Sequence, residues 1–194
     1  MVEIPIYMGM HPAQKRYQLV SELREFLETN GGPNWRTDPS DLPINFEAVT
    51  ENTLLVDVRK VDKAWSKPKH VAFRISAQGN NEIENRTRQI VDWLKVGGPI
   101  DPSDAYYSKE TGGVDFADGR HRFSLLRDAG VLVLPMNSDS PGDLMVLEAK
   151  SEEIEGYLAH EQEEKEEKEQ KEQNRVRGAL QKPTKRDDLG LSLL

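Results

Sequence analysis

Apolar positions recur along this chain of 194 residues with two periods, and the points where the period changes mark its elements. Between residues 13 and 29, Leu19, Val20, Leu23, Phe26 and Leu27 fall on one helical face, which Gly31-Gly32 stops. Residues 31–45 (GGPNWRTDPSDLPIN) concentrate Pro, Gly and Asp and are predicted as a loop or linker. Residues 53–59 (TLLVDVR) and 71–75 (VAFRI) read as strands, with a short helical turn at Asp62 to Trp65 between them and turn chemistry at 76–81 (SAQGNN). A helix follows at about 82–95, with Ile83, Ile90, Val91 and Leu94 inward and Gly97-Gly98 closing it. Residues 99–102 (PIDP) are predicted extended, Val114 and Phe116 belong to the next strand, and residues 123–130 form a helix that ends on Gly130. The uninterrupted apolar run 131–136 (VLVLPM) predicts a buried strand, and 144–147 (LMVL) a last short one. Trp65 and Trp93 are expected in the core. The order strand, strand, helix, strand, helix, strand predicts a small mixed α/β or α+β domain.

From Ser151 the pattern changes. Ser151 is placed to cap a helix whose first turn carries Glu152 and Glu153, the favourable end for acids. Downstream, Glu161 with Lys165, Glu164 with Lys168 and Glu167 with Lys171 stand at i,i+4, each pair contributing about 0.2–0.5 kcal/mol. With almost no apolar stripe after Leu158, a heptad coiled coil is not predicted; a solvated single helix fraying near Gly178 is. Residues 182–194 are expected to be disordered, with Leu189, Leu191, Leu193 and Leu194 a candidate docking tail. The predicted organisation is therefore an N-terminal helix and Pro/Gly-rich loop at 1–50, a folded domain at 51–150, and a charged helix and tail at 151–194.

Composition narrows the chemistry. A 36% hydrophobic and 31% charged chain fills one core only if part of it stays outside. No stretch approaches the roughly 20 apolar residues of a membrane span, and residues 1–10 lack the basic and apolar runs of a secretory signal. The absence of cysteine excludes disulfides, thiolate metal sites and a cysteine nucleophile, and fits a cytoplasmic location. His11, His70, His121 and His160 have no zinc spacing. A net charge of −8 argues against nucleic-acid binding by the whole surface and leaves room for a local basic face.

That face is expected at residues 118–122 (DGRHR), between a strand and a helix. Gly119 at such a turn lets backbone approach a ligand closely, and the helix start offers unpaired N–H groups and a positive dipole end. Arg122 lies in the first helical turn, where a cation is unfavourable unless Asp115, Asp118 or an anionic ligand pairs with it. Arg120 stands beside it, either on the ligand or in solvent. His121 has three readings: a phosphate contact, a general base near neutral pH, or packing beneath the helix. Asp118 is an N-cap, or else a metal ligand or water-orienting group. No Walker A sequence occurs, which excludes a P-loop.

These residues resemble the ParB/sulfiredoxin superfamily, whose members carry a helix, an extended segment, a strand, a G-x-x-R-type turn at a helix head, and a strand similar to residues 130–136. Within it the chain looks most like the plasmid fertility-inhibition (Osa-like) proteins, through Leu55-Val56-Asp57-Val58, Asp62, Ala64-Trp65, Gly79-Asn80, Arg86, Trp93-Leu94 and the phrase from Val114 to Pro135; the match covers about residues 53–137. The resemblance implies a nucleotide-phosphate site at Gly119, Arg120, His121 and Arg122, with Arg86 as a second phosphate ligand and Asn80 and Asn81 near its mouth. It implies ATP and Mg²⁺ as cofactors, Asp118 or Asp115 holding the metal, ATP hydrolysis with DNA cleavage, and interference with conjugative DNA transfer through a component of a transfer or secretion machinery. Sulfiredoxins place a Cys where this chain has Arg120, so sulfinic-acid reduction is excluded. ParB proteins prefer an acid there and continue into a helix-turn-helix, so a partition role is excluded too. Free-serine kinases carry a phrase close to residues 118–122, which keeps small-molecule phosphoryl transfer as an alternative. A non-catalytic adaptor acting through the acidic helix is another.

Overall fold

The computed structural model describes residues 12–65 and 81–180. The strand expected at 71–75, the turn at 76–80 and the tail at 182–194 lie outside them. The chain divides into two compact units, one ending at Ile154 and one beginning at Glu155.

The first unit opens with helix α1 (Pro12–Asn30). Leu19, Leu23 and Leu27 are buried on one face, and Gly31 N–H closes the last turn on the Leu27 carbonyl at 2.8 Å. The following loop contains a 3₁₀ turn (Pro39–Asp41) that Asp38 caps. Its Leu42 and Ile44 enter the same core as α1 and the sheet.

Strand β1 (Thr53–Asp57) stops two residues earlier than its alternation predicts, because Val58–Trp65 is helix α2. The Asp57 carboxylate accepts the backbone N–H of Arg59 at 2.9 Å and caps the new helix. Val58, Val61, Ala64 and Trp65 are all buried, a helical spacing that overrides the apparent alternation of Val56 and Val58. Helix α3 (Asn81–Lys95) buries Val91 and Leu94, and the N–H groups of Gly97 and Gly98 terminate it on the carbonyls of Leu94 and Trp93.

Then come β2 (Ser103–Ser108), β3 (Gly113–Asp118), helix α4 (Arg120–Ala129) and β4 (Val133–Asn137). Strand β2 is the element that the hydrophobic pattern does not announce. Its buried face is made by Ser103 and Ala105, too small and too polar to register as an apolar stripe. It nevertheless lies inside the four-stranded sheet, whose order is β1-β4-β2-β3. The pairs β1–β4 and β2–β3 are antiparallel, while β2–β4 is parallel through Ser103 with Met136 and Asp104 with Asn137.

The last predicted strand is overturned. Residues 141–144 form helix α5 (Pro141–Leu144), followed by a 3₁₀ turn (Met145–Leu147). Leu144 and Leu147 are buried whereas Met145 and Val146 are exposed, so four consecutive apolar residues follow the helical period. Pro141 in the first turn supplies the start.

The architecture is a mixed α+β fold of six α-helices and a four-stranded sheet among the described residues. Its core joins α1, α2, α3, α4 and all four strands. Trp65, Phe116 and Phe123 meet edge-on or tilted, with centroids 4.8 Å apart for Trp65–Phe116 and 5.1 Å for Phe116–Phe123. Beside them, Arg127 bonds Asp62 and Asp128 at 2.6 and 2.7 Å, and Arg16 of α1 reaches Asp128 at 2.6 Å, tying α1 and α2 to α4. No helix of the described residues is long and apolar enough to cross a membrane.

Helix α6 (Ser151–Leu180) begins in the first unit and makes up the described part of the second. Ser151 is its first helical residue, not its cap; the Lys150 carbonyl accepts the first N–H groups, from Glu153 and Ile154. The expected pairs Glu164 with Lys168 and Glu167 with Lys171 form at 3.5 and 2.6 Å.

Candidate functional site

Strand β3 delivers Asp118 to the sheet edge, and Gly119 turns the chain into α4. The turn requires glycine on two counts. Its φ of +79° is left-handed, and a Cβ there would lie 2.6 Å from Ser103 Oγ and 2.8 Å from Ser103 Cα. The Gly119 carbonyl accepts the Ser103 hydroxyl at 3.0 Å and the Phe123 N–H at 3.0 Å. Gly119 is the N-cap, so no side chain caps the helix and Asp118 does not fill the capping role open to it. The first helical turn is therefore left to amides, arginines and a histidine.

The turn lines a pocket of about 600 Å³. Arg86, Asp118, Gly119, Arg120, His121 and Arg122 all line it, which brings together six of the seven residues expected at the site. Asp115 does not line it. It stands opposite Tyr106 of β2, its cross-strand partner, and its charge holds the Tyr106 phenol above its ordinary value. Arg88, two residues beyond Arg86 on α3, pairs instead with Glu22 of α1 at 2.8 Å.

The other wall belongs to the face Arg86, Gln89, Ile90 and Trp93 of α3, with Pro99, Ile100 and Asp101 beyond the helix. These positions are i, i+3, i+4 and i+7, the face complementary to the buried Thr87, Val91 and Leu94. Trp93 is thus not a core residue, as its size suggests, but is 51% exposed at the pocket wall. Its Nε1–H donates to the Pro99 carbonyl at 2.7 Å. The helical period identifies this face; the residue's chemistry alone does not.

Arg122 carries the electrostatics of the site. Its Nη2 contacts Asp118 Oδ2 at 3.3 Å, a long pairing with a carboxylate that is itself 72% exposed. Its Nε is buried and finds no hydrogen-bond partner among the described residues. A buried polar atom left so costs about 1–3 kcal/mol, and the cation also opposes the helix dipole.

His121 is half-buried on the same turn. Burial is the largest cause that pushes its pKa below the ordinary 6.5, followed by the charges of Arg120, Arg86 and Arg16, while Asp118 acts in the opposite sense. The imidazole is accordingly neutral at pH 7. A lowered folded pKa means that its contribution to stability is full above pH 6.5 and is lost as pH falls through the folded value. A bound anion offsets the arginine charges and raises that pKa. The expected result is a His121 imidazole titrating below 6.5 in the free protein and moving upward with ATP, read by NMR; titration of the free protein above 6.5 contradicts this electrostatic description.

For Mg²⁺, which needs only one or two protein carboxylates when phosphate oxygens complete the shell, the pocket offers Asp118 and Asp101. Among the described residues no three of His, Cys, Asp and Glu cluster as a metal site of their own. The donor set fits a metal carried in with phosphates, held by Asp118, and does not fit one shared by Asp118 and Asp115. No protein-family model matches this chain, and no curated protein or solved structure does.

Proposed function

We propose that this pocket binds the phosphates of a nucleotide, ATP with Mg²⁺ in the first instance, and hydrolyses it slowly. One observation carries the reading. A chain of net charge −8 gathers Arg86, Arg120 and Arg122 on a single pocket and leaves the Nε of Arg122 buried without a partner among the described residues. A polyphosphate answers each unfavourable term: it gives Arg122 Nε an acceptor, accepts from the uncapped turn and reverses the dipole penalty. The volume falls within the roughly 300–1,000 Å³ usual for small-ligand sites.

Phosphoryl transfer asks a protein mainly for positioning and charge neutralisation. The arginines supply the second. His121 accepts a proton from an attacking water, and Asp118 orients that water or the metal. The reading extends to a cytoplasmic protein that cleaves DNA and blocks conjugative transfer; for these steps the support is the resemblance of residues 53–137 to the plasmid fertility-inhibition proteins. Titration calorimetry of the full chain with ATP and Mg²⁺ should give saturable binding, accompanied by release of inorganic phosphate. No binding overturns the proposal, and a phosphorylated metabolite in place of free phosphate reassigns the chemistry to a small-molecule kinase.

A further inference from the structure

We infer that Trp93 is the platform on which the nucleotide's base stacks, so that the site takes a nucleoside polyphosphate in preference to a bare polyphosphate; the inference rests on the phosphate reading just given. The pocket's lining is of two kinds. Arg86, Arg120 and Arg122 are cationic, whereas Trp93, Pro99 and Ile100 offer apolar surface. Arg86 and Trp93 lie on the same face of α3, seven residues apart, which at the helical rise is about 10 Å along the axis. One ligand that satisfies both Arg86 and Trp93 carries charge at one extremity and a flat apolar ring at the other.

Trp93 is held for this purpose on two sides. Its Nε1–H is tethered to the Pro99 carbonyl at 2.7 Å. Gly98 lies against the indole so closely that a Cβ there would come within 2.2 Å of Cε2 and 2.4 Å of Cδ2 and Nε1, distances that place Gly98 over the ring rather than at its edge. With one face covered and the ring still 51% exposed, the accessible face is the other one, toward the pocket. A large aromatic fixed in orientation while half-exposed forgoes burial that the core offers its neighbours Val91 and Leu94. An indole face takes any base, more readily a purine, because stacking scales with the ring area overlapped.

The experiment compares ATP with inorganic tripolyphosphate by titration calorimetry on the full chain, for the wild type, Trp93→Ala and Trp93→Phe. The wild type should bind ATP about tenfold more tightly than tripolyphosphate, the scale of one base–aromatic stack. Trp93→Ala should bring ATP down to the tripolyphosphate level and leave tripolyphosphate unchanged, which at the same time reports that the variant is folded. Trp93→Phe should retain part of the preference. Equal affinity of the wild type for the two ligands overturns the role of Trp93 while the phosphate reading stands. Equal weakening of both by Trp93→Ala makes the indole a structural residue and also overturns it. Failure of both ligands to bind the wild type removes the phosphate reading and the stacking platform with it.

Discussion

Gly119→Ala should destabilise the first unit by about 3 kcal/mol in denaturant unfolding, the largest stability effect expected of any single methyl group in the site. Two costs combine. A side chain at φ +79° gives up about 1–2 kcal/mol relative to glycine. The added Cβ then meets Ser103 at 2.6–2.9 Å, on a strand inside the sheet whose backbone cannot swing away, and overpacking of this kind costs about 1–3 kcal/mol. Ser103→Gly in the same chain should restore part of the loss, since it removes the clash with the serine side chain. The clash with the strand backbone and the strain of the left-handed turn both remain. Phosphate binding should fall as well, because relief of the clash moves the turn that presents the α4 amides. A Gly119→Ala protein as stable as the wild type contradicts the tight approach of β2 to the start of α4.

Arg122→Ala should weaken ATP binding by about ten- to a hundredfold, the scale of one or two charge-assisted hydrogen bonds, while leaving unfolding stability unchanged or slightly higher. The second half of the expectation separates function from structure. If the 3.3 Å contact with Asp118 were the reason for Arg122, its loss would destabilise the fold. That carboxylate is 72% exposed, however, and such pairs contribute about 0–1 kcal/mol. Against this small gain stand a buried Nε without a partner among the described residues and a cation at the wrong end of a helix. Removing the side chain therefore relieves the free protein and injures the complex. Paired calorimetry and denaturant unfolding check both halves; a variant that unfolds more easily yet binds ATP like the wild type makes Arg122 structural.

The elements most legible in the chain were those whose faces are strongly unlike. In α1 the buried Leu19, Leu23 and Leu27 contrast with exposed Tyr17, Ser21 and Glu25, and β4 is buried along nearly all its length. Legibility failed where that contrast is weak. Strand β2 packs Ser103 and Ala105, and the segment Leu144 to Leu147 is apolar at every position, so its period is invisible until neighbours select Leu144 and Leu147 for burial. Between these extremes lies the boundary of β1 with α2, where alternation and helical spacing overlap and the Asp57 cap decides.

The candidate site divides the same way. Gly119, Arg120, His121 and Arg122 are contiguous, and a strand, a glycine and a helix start are local properties that consecutive residues determine by themselves. So were the stops at Gly31 and Gly130, and the i,i+4 pairing of Glu164 with Lys168 and Glu167 with Lys171 in α6. Only the tertiary structure decided that Arg86 and Trp93 of α3 line one pocket with that turn, that Arg16 from α1 helps to lower the His121 pKa, and that Asp115 stands against Tyr106 instead. The physical reason is that a pocket is made by surfaces far apart in the chain. The helical period can tell which face of α3 turns from the core, but which distant element that face meets is carried by no local pattern.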